Sequence, residues 1–141
     1  MGERKKGLRV VLDTNVLVSA LLFSGPLAVI VNLWESGRII PVLSQETFDE
    51  FQRVLSYPKF ELTSGEITTL VEQCISYFDV VDVTVQVKGV CRDPHDDKFL
   101  SCALSASAVM LVSGDDDLLV LSKYKNVKII SPAEFLDTFK V

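Results

Sequence analysis

Six of the chain's 19 acidic residues crowd into two short clusters, Asp93/Asp96/Asp97 and Asp115/Asp116/Asp117. Carboxylates this close repel one another unless cations lie between them, so the clusters suggest a divalent metal site, although two solvated turns would give the same composition. Two more carboxylates stand where they could join such a site. Asp13 ends the apolar run Val10-Val11-Leu12, a position that also suits a helix N-cap. Glu50 lies in a helical pattern whose buried arc is Phe48, Phe51, Val54 and Leu55; it sits beside Val54 at the margin of that arc, with Glu46 further round and Asp49 nearly opposite.

Three or four carboxylates converging from separate segments make a hard, oxygen-rich site suited to Mg²⁺ or Mn²⁺. No Cys/His set has zinc spacing, and neither cluster carries the central Gly and terminal Glu of an EF-hand. Sites of this type can hold two metals that clamp the attacking water and the leaving oxygen of an in-line phosphoryl displacement. Net charge is −5, the wrong sign for unaided attraction to nucleic acid.

The elements that would position these groups alternate. Apolar runs at Leu8–Leu12, Ile39–Leu43, 109–112 and Val127–Ile130 predict buried strands, and 80–87, with alternation at Val83, Val85 and Val87, predicts a half-exposed edge strand. Helices are expected over 16–23, from Pro26 to Trp34, from an N-cap at Ser44 to about residue 56, and from a Thr63/Glu66 capping box to about residue 77. Asp96 or Asp97 can cap a helix reaching Ala106; Asp97 has the better register for facing the sheet edge, since Leu100 and Leu104 mark the buried side. Residues 118–121 read as a helical turn, and Ser131-Pro132-Ala133-Glu134 opens the last helix. Strand–helix alternation with all-apolar strands predicts an α/β chain, a three-layer α/β/α sandwich on a mainly parallel sheet. Ligands of such sheets bind beyond the carboxyl ends of the strands, which is where Asp13 and Asp115 fall. In an extended turn, Asp115 and Asp117 would point one way and Asp116 the other.

The length suits a single domain over residues 1–141. Cys74, Cys91 and Cys102 are odd in number and form no C-x-x-C pair, which argues for free thiols in a reducing compartment. Arg4-Lys5-Lys6 followed by apolar residues is interrupted by Asp13 and Asn15, unlike a secretory signal, and no run reaches the length of a membrane span. A cytoplasmic protein with no membrane association is expected. The helices over 16–34 carry many apolar residues for their length (Phe23, Val29 and Trp34 among them), which predicts a homodimer.

Four stretches, read together, resemble the PIN-domain nucleases, in particular the VapC-like toxin components of toxin–antitoxin pairs. They are Val11-Leu12-Asp13-Thr14-Asn15-Val16-Leu17, Glu50-Phe51-Gln52-Arg53-Val54-Leu55 with Pro58-Lys59-Phe60, Arg92-Asp93-Pro94-His95-Asp96-Asp97-Lys98-Phe99-Leu100, and Leu111-Val112-Ser113-Gly114-Asp115-Asp116-Asp117-Leu118-Leu119. The resemblance implies that Asp13, Glu50, Asp97 and Asp115 form a catalytic, metal-binding acidic quartet. It makes Asp117 a further ligand or a supporting group, and it gives Asn15 and Ser113 the task of orienting the carboxylates. It implies hydrolysis of single-stranded RNA with Mg²⁺ or Mn²⁺ and a small antitoxin protein as a possible partner. Relatives often carry Asp where His95 stands, and His95 reads as an exposed loop residue. Two other readings compete. A phosphatase of the haloacid dehalogenase type also has an Asp after its first strand, but it needs a second Asp where Asn15 stands. A catalytically silent PIN-fold binding protein would keep the fold without the chemistry.

Overall fold

The computed structural model describes residues 7–139; the Arg4-Lys5-Lys6 stretch lies outside them. Within that span, β1 (Leu8–Leu12), β2 (Ile39–Leu43), β3 (Asp79–Val80), β4 (Met110–Val112), β5 (Lys123–Tyr124) and β6 (Val127–Ile130) form one sheet of order β3-β2-β1-β4-β6-β5. All neighbours run parallel except β5, which forms an antiparallel pair with β6. The short β5 was not anticipated from the sequence, because Lys123 and Tyr124 carry no apolar alternation.

Side chains alternate across the sheet, and each face supports its own core. Val10, Leu12, Ile39, Leu43, Val112 and Ile130 face one layer of helices, and Val11, Ile40, Val42, Leu111 and Ile129 face the other. The first layer holds α1 (Thr14–Leu22), α2 (Val29–Glu35), α3 (Gln45–Leu55), α4 (Ser64–Ile75) and α7 (Pro132–Thr138). The second holds α5 (Asp97–Ser105) and α6 (Asp116–Leu119). This is the expected α/β/α sandwich.

Local chemistry starts each helix. Asp13 caps α1 by accepting from the Val16 amide, and Ser44 and Thr47 make a capping box on α3. The predicted Thr63/Glu66 box opens α4, and Ser131 caps α7 ahead of Pro132. Of the apolar residues over 16–34 that suggested a dimer, Val16, Leu17, Ile30, Leu33 and Trp34 are consumed by the core, while Phe23 and Val29 stay exposed. Among the described residues no single helix is long and apolar enough to cross a membrane, and Cys74, Cys91 and Cys102 are free and buried.

The segment expected to be an edge strand over 80–87 behaves differently. After β3 it leaves the sheet and lies across α5, where side chains take over the role of a neighbouring strand. Ser105 Oγ accepts from the amides of Thr84 and Val85 at 3.0 Å each, and Ser101 Oγ accepts from Val87 at 2.9 Å. The Asp97 carboxylate accepts from Gly89, Val90 and Cys91 at 2.8, 3.3 and 2.9 Å. Positions 97, 101 and 105 share one helix face by their spacing of four. Gly89, at φ +72°, makes the left-handed turn that lets three successive amides converge on one carboxylate.

Asp97 therefore straps the 81–91 segment to α5. Asp97→Ala leaves three amide donors without their charged acceptor and is expected to destabilise the fold by about 3 kcal/mol. Urea denaturation checks this; an unchanged midpoint would mean that the strap contributes nothing.

Candidate active site

The carboxyl ends of β1 and β4 lie side by side, with Leu12 opposite Val112. One residue further on, the Asp13 amide donates to the Val112 carbonyl at 3.0 Å, and the Ser113 amide to Ile130 at 3.0 Å. The ladder thus continues past the strands and fixes Asp13 and Ser113 as neighbours. Ser113 Oγ donates to Asp13 Oδ2, while Asp13 Oδ1 accepts from the Val16 amide at 2.9 Å. The Ser113 hydroxyl also accepts from the Asp115 amide at 2.9 Å, which ties the second acidic cluster to the first strand's aspartate.

Glu50 reaches the same place from α3. Thr14 Oγ1 donates to its Oε2, and Lys98 Nζ lies 2.8 Å from its Oε1, with Arg53 at 3.7 Å. The Lys98 side chain is nearly buried; its ammonium also donates to the His95 carbonyl at 2.8 Å. Burial alone would raise the Glu50 pKa, but bonds from Lys98 and Thr14 and the charges of Lys98 and Arg53 outweigh it, so Glu50 stays ionised.

Asp13, Glu50, Asp93, Asp96 and Asp115 line one cleft of about 240 Å³ together with Asn15 and Lys98. Asp117 adjoins it: oxygens of Asp93, Asp96 and Asp117 lie within 4.8 Å of one another. Arg92 Nε balances Asp117 at 2.8 Å from its Oδ1. Asp115 caps α6 and keeps its carboxylate on the Asp117 amide at 2.9 Å. The expectation that Asp13, Glu50 and Asp115 converge, with Asp117 beside them, agrees with this geometry.

Asp97 is placed elsewhere: its carboxylate is occupied by the 89–91 amides, and Asp96 stands in the cleft instead. A step of one residue turns a side chain by about 100° around a helix, and here it separates the strap from the site. Asp93 and Asp96, which the acidic cluster marked as candidates for a metal site but the assigned quartet left out, thus stand in the cleft together with Lys98, which the sequence did not single out; all three lie inside the Arg92–Leu100 motif. The signal available for Asp97 was the small-residue face continued by Ser101 and Ser105, which marks it as part of a hydrogen-bonding row.

The uncompensated charge rests on Asp13 and Asp96. Asp13 is pushed up from the ordinary carboxylate range by burial, then by the charges of Asp115 and Glu50, with the Ser113 and Val16 bonds pulling the other way. Asp96 is pushed up to about 7, first by burial, then by Asp115, whose carboxyl can bond only its protonated form and whose charge opposes ionisation, and then by Asp93. Its Oδ2 is buried without a hydrogen-bond partner. A buried, unpartnered carboxylate oxygen among other carboxylates fits a hard divalent cation held at Asp96, with Asp93 and Asp117 in reach of it and Asp13, Glu50 and Asp115 lining the same cleft or its rim.

Asp96 binds its proton more tightly folded than unfolded. Between about pH 4 and pH 7 the native state therefore holds a proton that the unfolded chain has released, and raising the pH through this interval removes stability. The melting temperature of the metal-free protein is expected to fall from pH 5 to pH 7.5, and Asp96→Asn to flatten the slope. A melting temperature that climbed over this interval in wild type would contradict the assignment.

A family model described as a PIN domain matches residues 9–117. The uncharacterized protein MJ1680 of Methanocaldococcus jannaschii is 29% identical over 145 residues, covering 94% of this chain and 92% of that protein. Three solved structures share the fold at low identity. A chain of the VapBC2 complex of Rickettsia felis, crystallised with a DNA fragment from its promoter, is 15% identical at TM-score 0.61 and covers 88% of this chain and 98% of its own. PAE2754 of Pyrobaculum aerophilum is 14% identical at TM-score 0.55, over 94% and 88%. The PIN domain of human SMG5 is 17% identical at TM-score 0.51, over 94% and 99%. With the family model covering most of the chain and the acidic cleft at the carboxyl edge of its parallel sheet, this protein belongs to the PIN-domain family of nucleases.

Proposed function

We propose that the chain is a metal-dependent ribonuclease, a single PIN domain that hydrolyses phosphodiester bonds of single-stranded RNA in the cytoplasm, and that it acts as the toxin of a toxin–antitoxin pair. The observation that carries this is the cleft lined by Asp13, Glu50, Asp93, Asp96 and Asp115, in which Asp96 keeps a buried carboxylate oxygen without a partner. Such a surface repels phosphate, so RNA can enter only with cations. When bound, Mg²⁺ or Mn²⁺ supplies positive charge for the phosphate and makes nearby water a stronger acid.

The chain's own groups have separable tasks. Ser113 Oγ holds Asp13 in one rotamer, and Thr14 and Lys98 do the same for Glu50. Lys98 Nζ, the nearly buried cation of the cleft, offers its remaining N–H to an incoming phosphate oxygen. Asp96, with its buried and unpartnered Oδ2, is the group placed to hold the cation. Among the candidate ligands, Asp97 stands apart, since its geometry supports a role in the fold. The likeness to a VapBC complex supports an antitoxin partner, and the exposed Val29 supports a homodimer. The phosphatase reading lacks the aspartate it requires at Asn15.

Asp13→Asn is expected to lower metal-dependent RNA cleavage by about 10³-fold, or roughly 4 kcal/mol of transition-state stabilisation. The melting temperature should hold or rise, because asparagine still caps α1 while one repelling buried charge is lost. Cleavage of labelled RNA with Mn²⁺ and with EDTA, beside a thermal melt, reads both. Wild-type activity in the variant would remove Asp13 from the active site.

A further inference from the structure

A second groove, of about 580 Å³, meets the acidic cleft at Asn15, which lines both. It runs between the outer face of α1 and the turn Pro58–Phe60, with Ser19, Phe23, Lys59 and Phe60 in its walls. Its chemistry is unlike that of the cleft it joins. Among the described residues no carboxylate lines it and Lys59 is its one charged residue, in a chain of net charge −5.

Phe23 follows the last turn of α1 with 54% of its surface exposed, where an aromatic ring gains little from the core. Its ring centre lies 6.2 Å from that of Phe60 at a 54° tilt, and Lys59 Nζ stands 5.1 Å from the centre of the Phe60 ring. An exposed aromatic ring beside a half-buried one, a cation and uncharged polar groups together are what a single-stranded nucleotide requires: a surface on which a base stacks and donors for the adjoining phosphate.

We propose that Phe23, Phe60 and Lys59 form a nucleotide-binding subsite that stacks an unpaired base, and holds its phosphate, next to the bond cut in the acidic cleft. The subsite rests on the ribonuclease reading for its substrate, and it explains how an acidic protein grips RNA: the grip lies beside the carboxylates rather than among them. Stacking needs a base free of its complement, so the subsite selects single strands over duplex. Asn15 and Ser19 line the path between the two sites and offer neutral donors to the intervening backbone.

The test compares wild type with Phe23→Ala, Phe23→Trp and Lys59→Ala, all changed outside the acidic cleft. A fluorescein-labelled 12-nucleotide oligouridylate is the RNA probe, and bis(p-nitrophenyl) phosphate is the baseless one. Phe23→Ala is expected to raise the oligonucleotide KM and weaken its anisotropy-derived Kd about tenfold, with hydrolysis of the baseless ester unchanged. Phe23→Trp is expected to restore binding, and Lys59→Ala to flatten its salt dependence. Binding is read in EDTA as well as with Mn²⁺, so a wild type that binds through Phe23 but cleaves nothing would sink the ribonuclease reading and leave the subsite standing. Unchanged affinity in Phe23→Ala, or no binding by wild type, overturns the subsite. So does a Phe23→Ala protein that loses a dimer in sedimentation but keeps its RNA affinity, because the groove would then seat a second copy.

Discussion

Mutual repulsion among carboxylates held at the carboxyl edge of the sheet is the constraint around which the site is built. Six acidic side chains meet there, and the cations nearest them, Lys98, Arg53 and Arg92, are already paired with Glu50 and Asp117. Among the described residues Asp13, Asp93, Asp96 and Asp115 are left without an ion pair in a partly buried cleft. A chain in water would spread such groups apart; here the backbone ladder and the caps of α1 and α6 hold them together. The resulting strain is the kind that ligand sites carry and the rest of the core offsets.

The division of roles follows from which carboxylates are compensated. Glu50 is kept ionised by donors on two sides and offers a fixed negative charge. Asp97 is likewise lowered despite its burial, through the amides of 89–91, but that satisfaction serves the strap across α5. Asp13 and Asp96, both raised, are the groups whose ionisation a bound cation would restore. Adjacent aspartates, 96 and 97, thus carry opposite electrostatic characters because one points into the cleft and the other into a row of amides.

Much of this was legible in the sequence. Largely apolar runs ending at Leu12, Leu43, Val112 and Ile130, interrupted only by Arg9, Pro41 and Lys128, pointed to the parallel strands, since a sheet covered on both faces suits them. Asp13 and Asp115 followed from chain direction, and Glu50 from its place at the margin of the buried arc of α3. The choice between Asp96 and Asp97 was not legible, because it depends on how α5 begins: the turn Pro94–Asp96 precedes it, and the 81–91 segment claims the Asp97 face. Alternating valines at 83, 85 and 87 suggested a strand for a sound reason, yet serine hydroxyls on α5 supplied its acceptors. No local pattern announces such a partner. The apolar surplus in α1 and α2 shrank for a similar reason: much of it faces a core whose extent only the assembled fold defines.

The central claim is that this cleft holds a divalent cation among its carboxylates, with Asp96 as a ligand. An anomalous difference map from crystals soaked in MnCl₂ tests it most directly. The account predicts a manganese peak within about 2.5 Å of oxygens from Asp96 and at least one other cleft carboxylate, abolished in Asp96→Asn. Manganese found only at surface carboxylates, with the cleft empty at saturating Mn²⁺, would contradict it.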